Sequence, residues 1–152
     1  MKFSTREDIA APIDHVFRAV SDFRVFERAA LRRGVAVDRM ETLTHPDAEM
    51  GWTINFTYRK KPRQISAELV RYDPPNVLMF ESYAPGITAL GLIELVALSR
   101  QRTRLSMSVD MRPTSIGGRL TIQSLKLTKT KLNQKFKNRV AKLSDQIESS
   151  AT

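Results

Sequence analysis

His15 and His45 are the only imidazoles in a chain of 152 residues, and there is no cysteine. No HxxxH or HxH spacing links the two histidines, so a histidine metal site is not expected, and thiolate ligation is excluded outright. His15 reads as a hydrogen-bonded surface group. No GxSxG elbow presents a nucleophile, and neither a GxGxxG turn nor a phosphate loop is present to hold a nucleotide. The sequence therefore indicates no cofactor and no metal. What remains for chemistry is a scattered acid–base set, Tyr58, Glu81, Glu94 and Lys129. Proton transfer needs at least two of these to converge in one pocket with shifted ionisation. Buried together, Glu81 or Glu94 would pair with Lys129.

A second group of residues has the chemistry of a binding surface. Trp52, Ile54, Phe56 and Tyr58 alternate with polar neighbours, and so do Leu105, Met107, Val109 and Met111. They form a broad apolar face that either packs shut or lines a pocket for an irregular apolar ligand, for which adaptable methionine is well suited. Periodicity alone leaves both readings open. Leu132, Asn133 and Phe136 from the C-terminal segment face the same interior. Lys129 falls within that stripe on a helical wheel, where its ammonium either meets a ligand carboxylate or phosphate or reaches out to water.

These residues need elements to place them. Residues 118–149 contain no proline and carry Ile122, Leu125, Leu132, Phe136, Val140, Leu143 and Ile147 on one helical face. They predict one long amphipathic helix with a cationic exterior, and Gly117 and Gly118 leave its start free to move. Ile116, Leu120 and Leu127 lie opposite that face. Covered by loops they are inert; exposed, they offer a homodimer contact, a lid contact or a lysine-flanked membrane edge. Upstream, residues 2–10 alternate as a strand. Pro12 opens a helix with Ile13, Val16, Phe17 and Val20 on one side, and a second short helix runs from Phe23 towards Gly34. Strands follow over 35–43, 51–60, 64–72, 77–84, 87–98 and 103–112. Turns are expected at 44–50, around His45-Pro46-Asp47, and at 60–63. Hairpin connections make the sheet antiparallel. The expected fold is α+β: a curved antiparallel sheet of about seven strands gripping the C-terminal helix, as one domain over 1–152.

The chain carries 25 lysines and arginines against 16 acids, a formal net charge of +9. That balance fits a solvated basic surface and admits RNA, DNA or an acidic partner as a ligand. The basic runs are not interleaved with exposed aromatics as a single-strand binding platform would be. Residues 1–12 lack the apolar core of a signal peptide, and the longest apolar run, 87–98, is short and carries Glu94. An unexported, cytoplasmic protein without a transmembrane segment is the expectation.

The segment IAAPIDHVFRAVSDFRVFE (9–27), through Ile9, Ala11, Pro12, Val16, Phe17, Val20, Asp22, Phe23 and Phe26, resembles the START-like or SRPBCC superfamily. The likeness extends through the order of elements over nearly the whole chain. It is similar in particular to the polyketide cyclase/dehydrase and lipid transport branch. The resemblance implies a helix-grip fold with a deep cavity between sheet and C-terminal helix. It implies a binding or carrier role towards a hydrophobic small molecule or lipid. The alternatives are a cofactor-independent cyclase, dehydratase or hydrolase in the same cavity, and a basic interaction protein. Residues 26–29, Phe-Glu-Arg-Ala, stand where many members end the second helix with Trp or Pro.

Overall fold

A computed structural model describes residues 1–44 and 48–151. His45 and the centre of the 44–50 turn lie outside the described residues. The elements run β1 (Lys2–Ile9), α1 (Ile13–Val20), α2 (Phe23–Arg32), β2 (Ala36–Arg39), β3 (Met50–Tyr58), β4 (Lys61–Asp73), β5 (Val77–Ala84), β6 (Ile87–Ser99), β7 (Arg102–Pro113), α3 (Ile116–Lys126) and α4 (Lys129–Ser150). All seven strands form one antiparallel sheet in the order β1-β7-β6-β5-β4-β3-β2. Strands β2 to β7 form a meander, and β1 closes onto the last of them. This is the expected α+β helix-grip fold, with the helices gathered on the concave face of the sheet.

Alternation decides what that face carries. Phe3 and Ile9 of β1, Leu78 of β5, Leu95 of β6 and Leu105 of β7 are buried on the inner side. Val16, Phe17 and Val20 of α1 cover one end of this surface, and Val140 and Ile147 of α4 cover its β1 side. The α4 register is fixed at both ends. Phe136 packs on Phe3 with ring centroids 6.2 Å apart. Near the C-terminal end, His15 Nε2 donates to the Ile147 carbonyl at 3.1 Å, and Ala10 N–H donates to Glu148 Oε1 at 2.6 Å. His15 is thus a tie between α1 and α4.

Three local expectations are corrected. The single helix over 118–149 is two helices, broken at Leu127 and Thr128. Leu127 and Thr128 N–H bond three residues back, to Ser124 and Leu125, and Thr128 Oγ1 donates to the Leu125 carbonyl at 3.2 Å. This tightening ends α3, and Thr128 accepts the first bond of α4 from Leu132 N–H. The strand expected over 35–43 lasts only four residues. Beyond it the chain folds over the outer side of β3 and β4. There Leu43 presses on Gly51, and Thr44 donates to Glu68 from its amide at 2.7 Å and from its hydroxyl. Glu68 is fully buried by that cover. The turn expected at 60–63 is the two-residue turn Arg59-Lys60, since Tyr58 already pairs with Lys61.

Arg59 and Lys60 have φ of 51° and 63°, the left-handed values a two-residue hairpin requires. An L side chain pays for that conformation, whereas glycine does not. Lys60→Gly is expected to stabilise the fold by about 1 kcal/mol, raising the thermal midpoint by roughly 2–4 °C. Thermal denaturation followed by circular dichroism measures it.

Candidate ligand-binding site

Of the two aromatic residues of α2, Phe23 packs on the sheet against Trp52 and Phe80, while Phe26 stays partly open to solvent. Between α2, β2 and the middle of the sheet lies an apolar cavity of about 390 Å³. Val20, Phe23, Phe26 and Ala30 form its roof, with Val35 and Val37 at one side. Trp52, Ile54, Ala67, Phe80, Ile93 and Met107 form its floor, and Leu143 of α4 closes the far end. The floor follows from register. Trp52 pairs with Ala67, Ile54 with Ile65, and Ile93 with both Leu78 and Met107, so inward residues from five neighbouring strands meet the space. Phe23, Trp52 and Phe80 form an aromatic cluster with centroids 5.2 to 6.2 Å apart.

Among the described residues one ionisable side chain lines this wall: Glu27, on the apolar stripe of α2 one turn after Phe23. Its Oε1 accepts from Arg39 Nε at 2.8 Å and from the Trp52 indole N–H at 3.0 Å. Among the described residues Oε2 accepts no hydrogen bond. The Arg39 hydrogen bond, aided by that from Trp52, holds the Glu27 carboxyl below the ordinary carboxylate value of 4.5, against the desolvation that would raise it. Glu27 is therefore ionised, neutralised by Arg39, and equipped with one unused acceptor oxygen at an otherwise hydrocarbon wall.

Of the binding residues read from the sequence, Trp52, Ile54 and Met107 lie on the cavity wall. Phe56, Val109 and Met111 share the inner face of the sheet but lie further along their strands, outside the cavity and half-buried. Leu132, Asn133 and Phe136 are half-buried on α4 outside the cavity, with Phe136 packed on Phe3 of β1. Tyr58 is exposed near the Arg59-Lys60 turn, where the Arg59 guanidinium lies 5.3 Å from its ring centre. Lys129 keeps the azimuth of Phe136, Val140 and Ile147 on α4, seven, eleven and eighteen residues before them, but it stands at the first residue of the helix and is exposed rather than turned into the cavity.

The acid–base set does not converge. Glu81 and Glu94 are in register with outward residues, Glu81 with Leu90 and Glu94 with Ser106, so both point away from the cavity. Glu81 Oε2 accepts from the Tyr83 hydroxyl at 2.6 Å. That bond, with burial and the nearby Glu68 charge, pushes the Tyr83 phenol up to about 12. The pair lies on the outer face, remote from the apolar cavity. Among the described residues no group of three or more His, Asp or Glu is placed to hold a metal ion. No helix there is long and apolar enough to cross a membrane.

Compared with known proteins, residues 1–148 match the family described as polyketide cyclase/dehydrase and lipid transport. No curated protein matches the chain in sequence. Among solved structures it is similar to a protein from Thermus thermophilus, TTHA0849, at 17% identity and a TM-score of 0.66, covering 100% of both chains. It is similar to the Zhui aromatase/cyclase from Streptomyces sp. R1128, at 17% identity and a TM-score of 0.66, over 99% of this chain and 93% of that one. An HSP90 activator from Plasmodium falciparum shares 16% identity at a TM-score of 0.52, over 76% of each chain. At these identities the structural likenesses establish the fold.

Proposed function

Since the chain belongs to the polyketide cyclase/dehydrase and lipid transport family, we propose that it binds a hydrophobic small molecule or lipid between α2 and the sheet, with Glu27 as its polar anchor. The observation that carries this reading is a 390 Å³ hydrocarbon space with one ionised, half-satisfied carboxylate on its wall. Pockets for small molecules combine a broad apolar lining with a few placed polar groups in this way. Because Arg39 already neutralises Glu27, the matching ligand group is a neutral hydroxyl or amide donor rather than a cation. A carboxyl held below its ordinary value is an acceptor, not a general acid, and Tyr58, Glu81, Glu94 and Lys129 do not supply a partner in the cavity. Binding without turnover is therefore the reading favoured.

Native mass spectrometry of the freshly purified protein, followed by solvent extraction, tests it. An apolar adduct with at least one O–H or N–H group supports the reading. Trp52, the sole tryptophan, lies on the wall and reports occupancy by its emission. Optically silent 1-octanol is expected to bind more tightly than octane, and Glu27→Gln is expected to weaken octanol about ten-fold while leaving octane unchanged, as for loss of a charge-assisted hydrogen bond. Equal affinity for both probes would refute the anchor, and no binding of either would refute the cavity. The same variant has a pH signature. The Glu27 carboxyl lies lower in the fold than in the unfolded chain, so the stability it contributes is complete above about 4.5 and is lost as pH falls through the folded value. Glu27→Gln is expected to flatten that acid-side loss, read as thermal midpoint against pH.

A further inference from the structure

The surface that carries a further inference is the outer side of α3. Its buried side is Gly118 and Ile122, with Leu125 half-buried. On the opposite side, at spacings of four and seven residues, Ile116, Leu120 and Leu127 form a second apolar stripe. They are 82%, 61% and 87% exposed. Nothing among the described residues covers them, so the reading in which loops bury them is set aside. Arg119 and Lys126 border one side of this stripe on α3, and Lys129 and Lys131 follow across the break into α4. No ion pair engages any of the four among the described residues. The sequence around them is one-sided: residues 111–144 contain nine lysines and arginines and no aspartate or glutamate.

We infer that this face of α3 docks on a lipid bilayer bearing anionic headgroups, with Ile116, Leu120 and Leu127 entering the interface and the flanking cations meeting phosphates and carboxylates. Aliphatic side chains bordered by cations are what an interfacial helix requires. An acid-free run attracts a negative surface without internal competition. Two other occupants fit less well. A two-fold dimer through a three-residue stripe would set Arg119 and Lys126 close to their own copies. Its area would also fall short of the roughly 800 Å² per partner of a stable interface. Nucleic acid would leave the aliphatic stripe wet, and no exposed aromatic stands on α3 or α4 for a base to stack on. The inference rests on the surface alone and does not depend on what fills the cavity.

Co-sedimentation with sucrose-loaded vesicles tests it, comparing pure phosphatidylcholine with phosphatidylcholine containing about 30% phosphatidylserine, near the anionic content of a charged leaflet. The protein is expected to bind the anionic vesicles at least ten-fold better, with binding falling as salt rises. Leu120→Ser with Leu127→Ser is expected to reduce it about ten-fold or more, since both side chains are exposed and their loss spares the core. Lys126→Gln and Lys129→Gln are each expected to reduce it by about five-fold. No binding, equal binding to both vesicles, or binding that the leucine variant leaves intact would overturn the proposal. So would a concentration-dependent dimer in light scattering that the leucine variant dissolves. Salt-sensitive capture of a homopolymeric RNA, with the vesicles ignored, would overturn it in favour of nucleic acid.

Discussion

Ile93→Trp is expected to weaken binding of apolar probes at least ten-fold while the protein stays folded. Ile93 sits on the interior strand β6, in register with Leu78 and Met107, with its side chain on the cavity floor. A large residue in a filled core costs about 1–3 kcal/mol because neighbours must leave their rotamers. Here the indole grows into a space of about 390 Å³, so the cost is expected at or below the low end of that range. The space it takes is the space a ligand would use. Calorimetric titration with 1-octanol is expected to show at least a ten-fold loss of affinity, equivalent to about 1.4 kcal/mol. Leu90→Trp is the control. Leu90 lies on the same strand, faces the other way and is 40% exposed, so binding there should be unchanged. If Ile93→Trp binds octanol as well as the parent, the ligand lies elsewhere; if Leu90→Trp weakens it equally, the effect is not steric.

The β3 and β7 parts of the cavity floor were legible in the sequence, and its β4, β5 and β6 parts and its roof were not, for a physical reason. On β3, one polar residue between each pair of apolar ones assigns Trp52 and Ile54 to the inner face without ambiguity, and β7 does the same for Leu105 and Met107. A helix stripe is different. Phe23, Phe26 and Ala30 show which side of α2 turns inward, but periodicity reads the same whether that side meets packed atoms or empty space. Glu27 had a readable signal: it sits four residues after Phe23 and three before Ala30, a carboxylate within an apolar stripe. Glu81 and Glu94 had none. Their strands are apolar on both faces, with Met79, Leu90 and Leu92 outward and Phe80, Gly91 and Ile93 inward, so alternation carries no sign there. A bulge between Leu69 and Arg71 further shifts the register of the neighbouring strand. Lys129 shares the azimuth of Phe136 and Val140 as the wheel has it, but a wheel carries no axial position, and at the first residue of α4 that side of the helix is exposed. What the wheel misplaces is Leu125 and the residues before it, because it assumes continuity through Leu127 and Thr128. No proline or glycine marks that break, which is made by three-residue backbone closure.

Gly118→Ala is expected to be the most destabilising single-methyl change in the chain. Gly118 is in the first turn of α3, against the turn between β5 and β6. A Cβ there would fall 1.7 Å from the Gly86 carbonyl oxygen and 2.6 Å from its carbon. Both are backbone atoms, so no flexible side chain can yield. Gly86 is itself held, at φ +77°, and its carbonyl accepts from Thr114 N–H at 2.8 Å. On the helix side, the Ser115 hydroxyl accepts from Gly118 N–H at 2.9 Å and sets the cap. The glycine pair thus does not free this end of the helix, as its composition alone would imply; its second member lets α3 lie directly on the sheet turn. Adding a methyl must push the two backbones apart, at a cost of about 3 kcal/mol or more, or roughly 6–12 °C in thermal midpoint. Gly117→Ala is expected to do the opposite. Its nearest neighbour would be Ser115 Oγ at an ordinary 3.8 Å, and replacing an exposed helical glycine stabilises by up to about 1 kcal/mol. The contrast matters beyond stability, because the Gly86–Gly118 contact helps fix the direction in which Leu120 and Leu127 project. A Gly118→Ala protein that melts with the parent would mean α3 is not seated on that turn. One that melts early but keeps its cavity affinity would place the stripe and the cavity in separately stabilised parts of the fold.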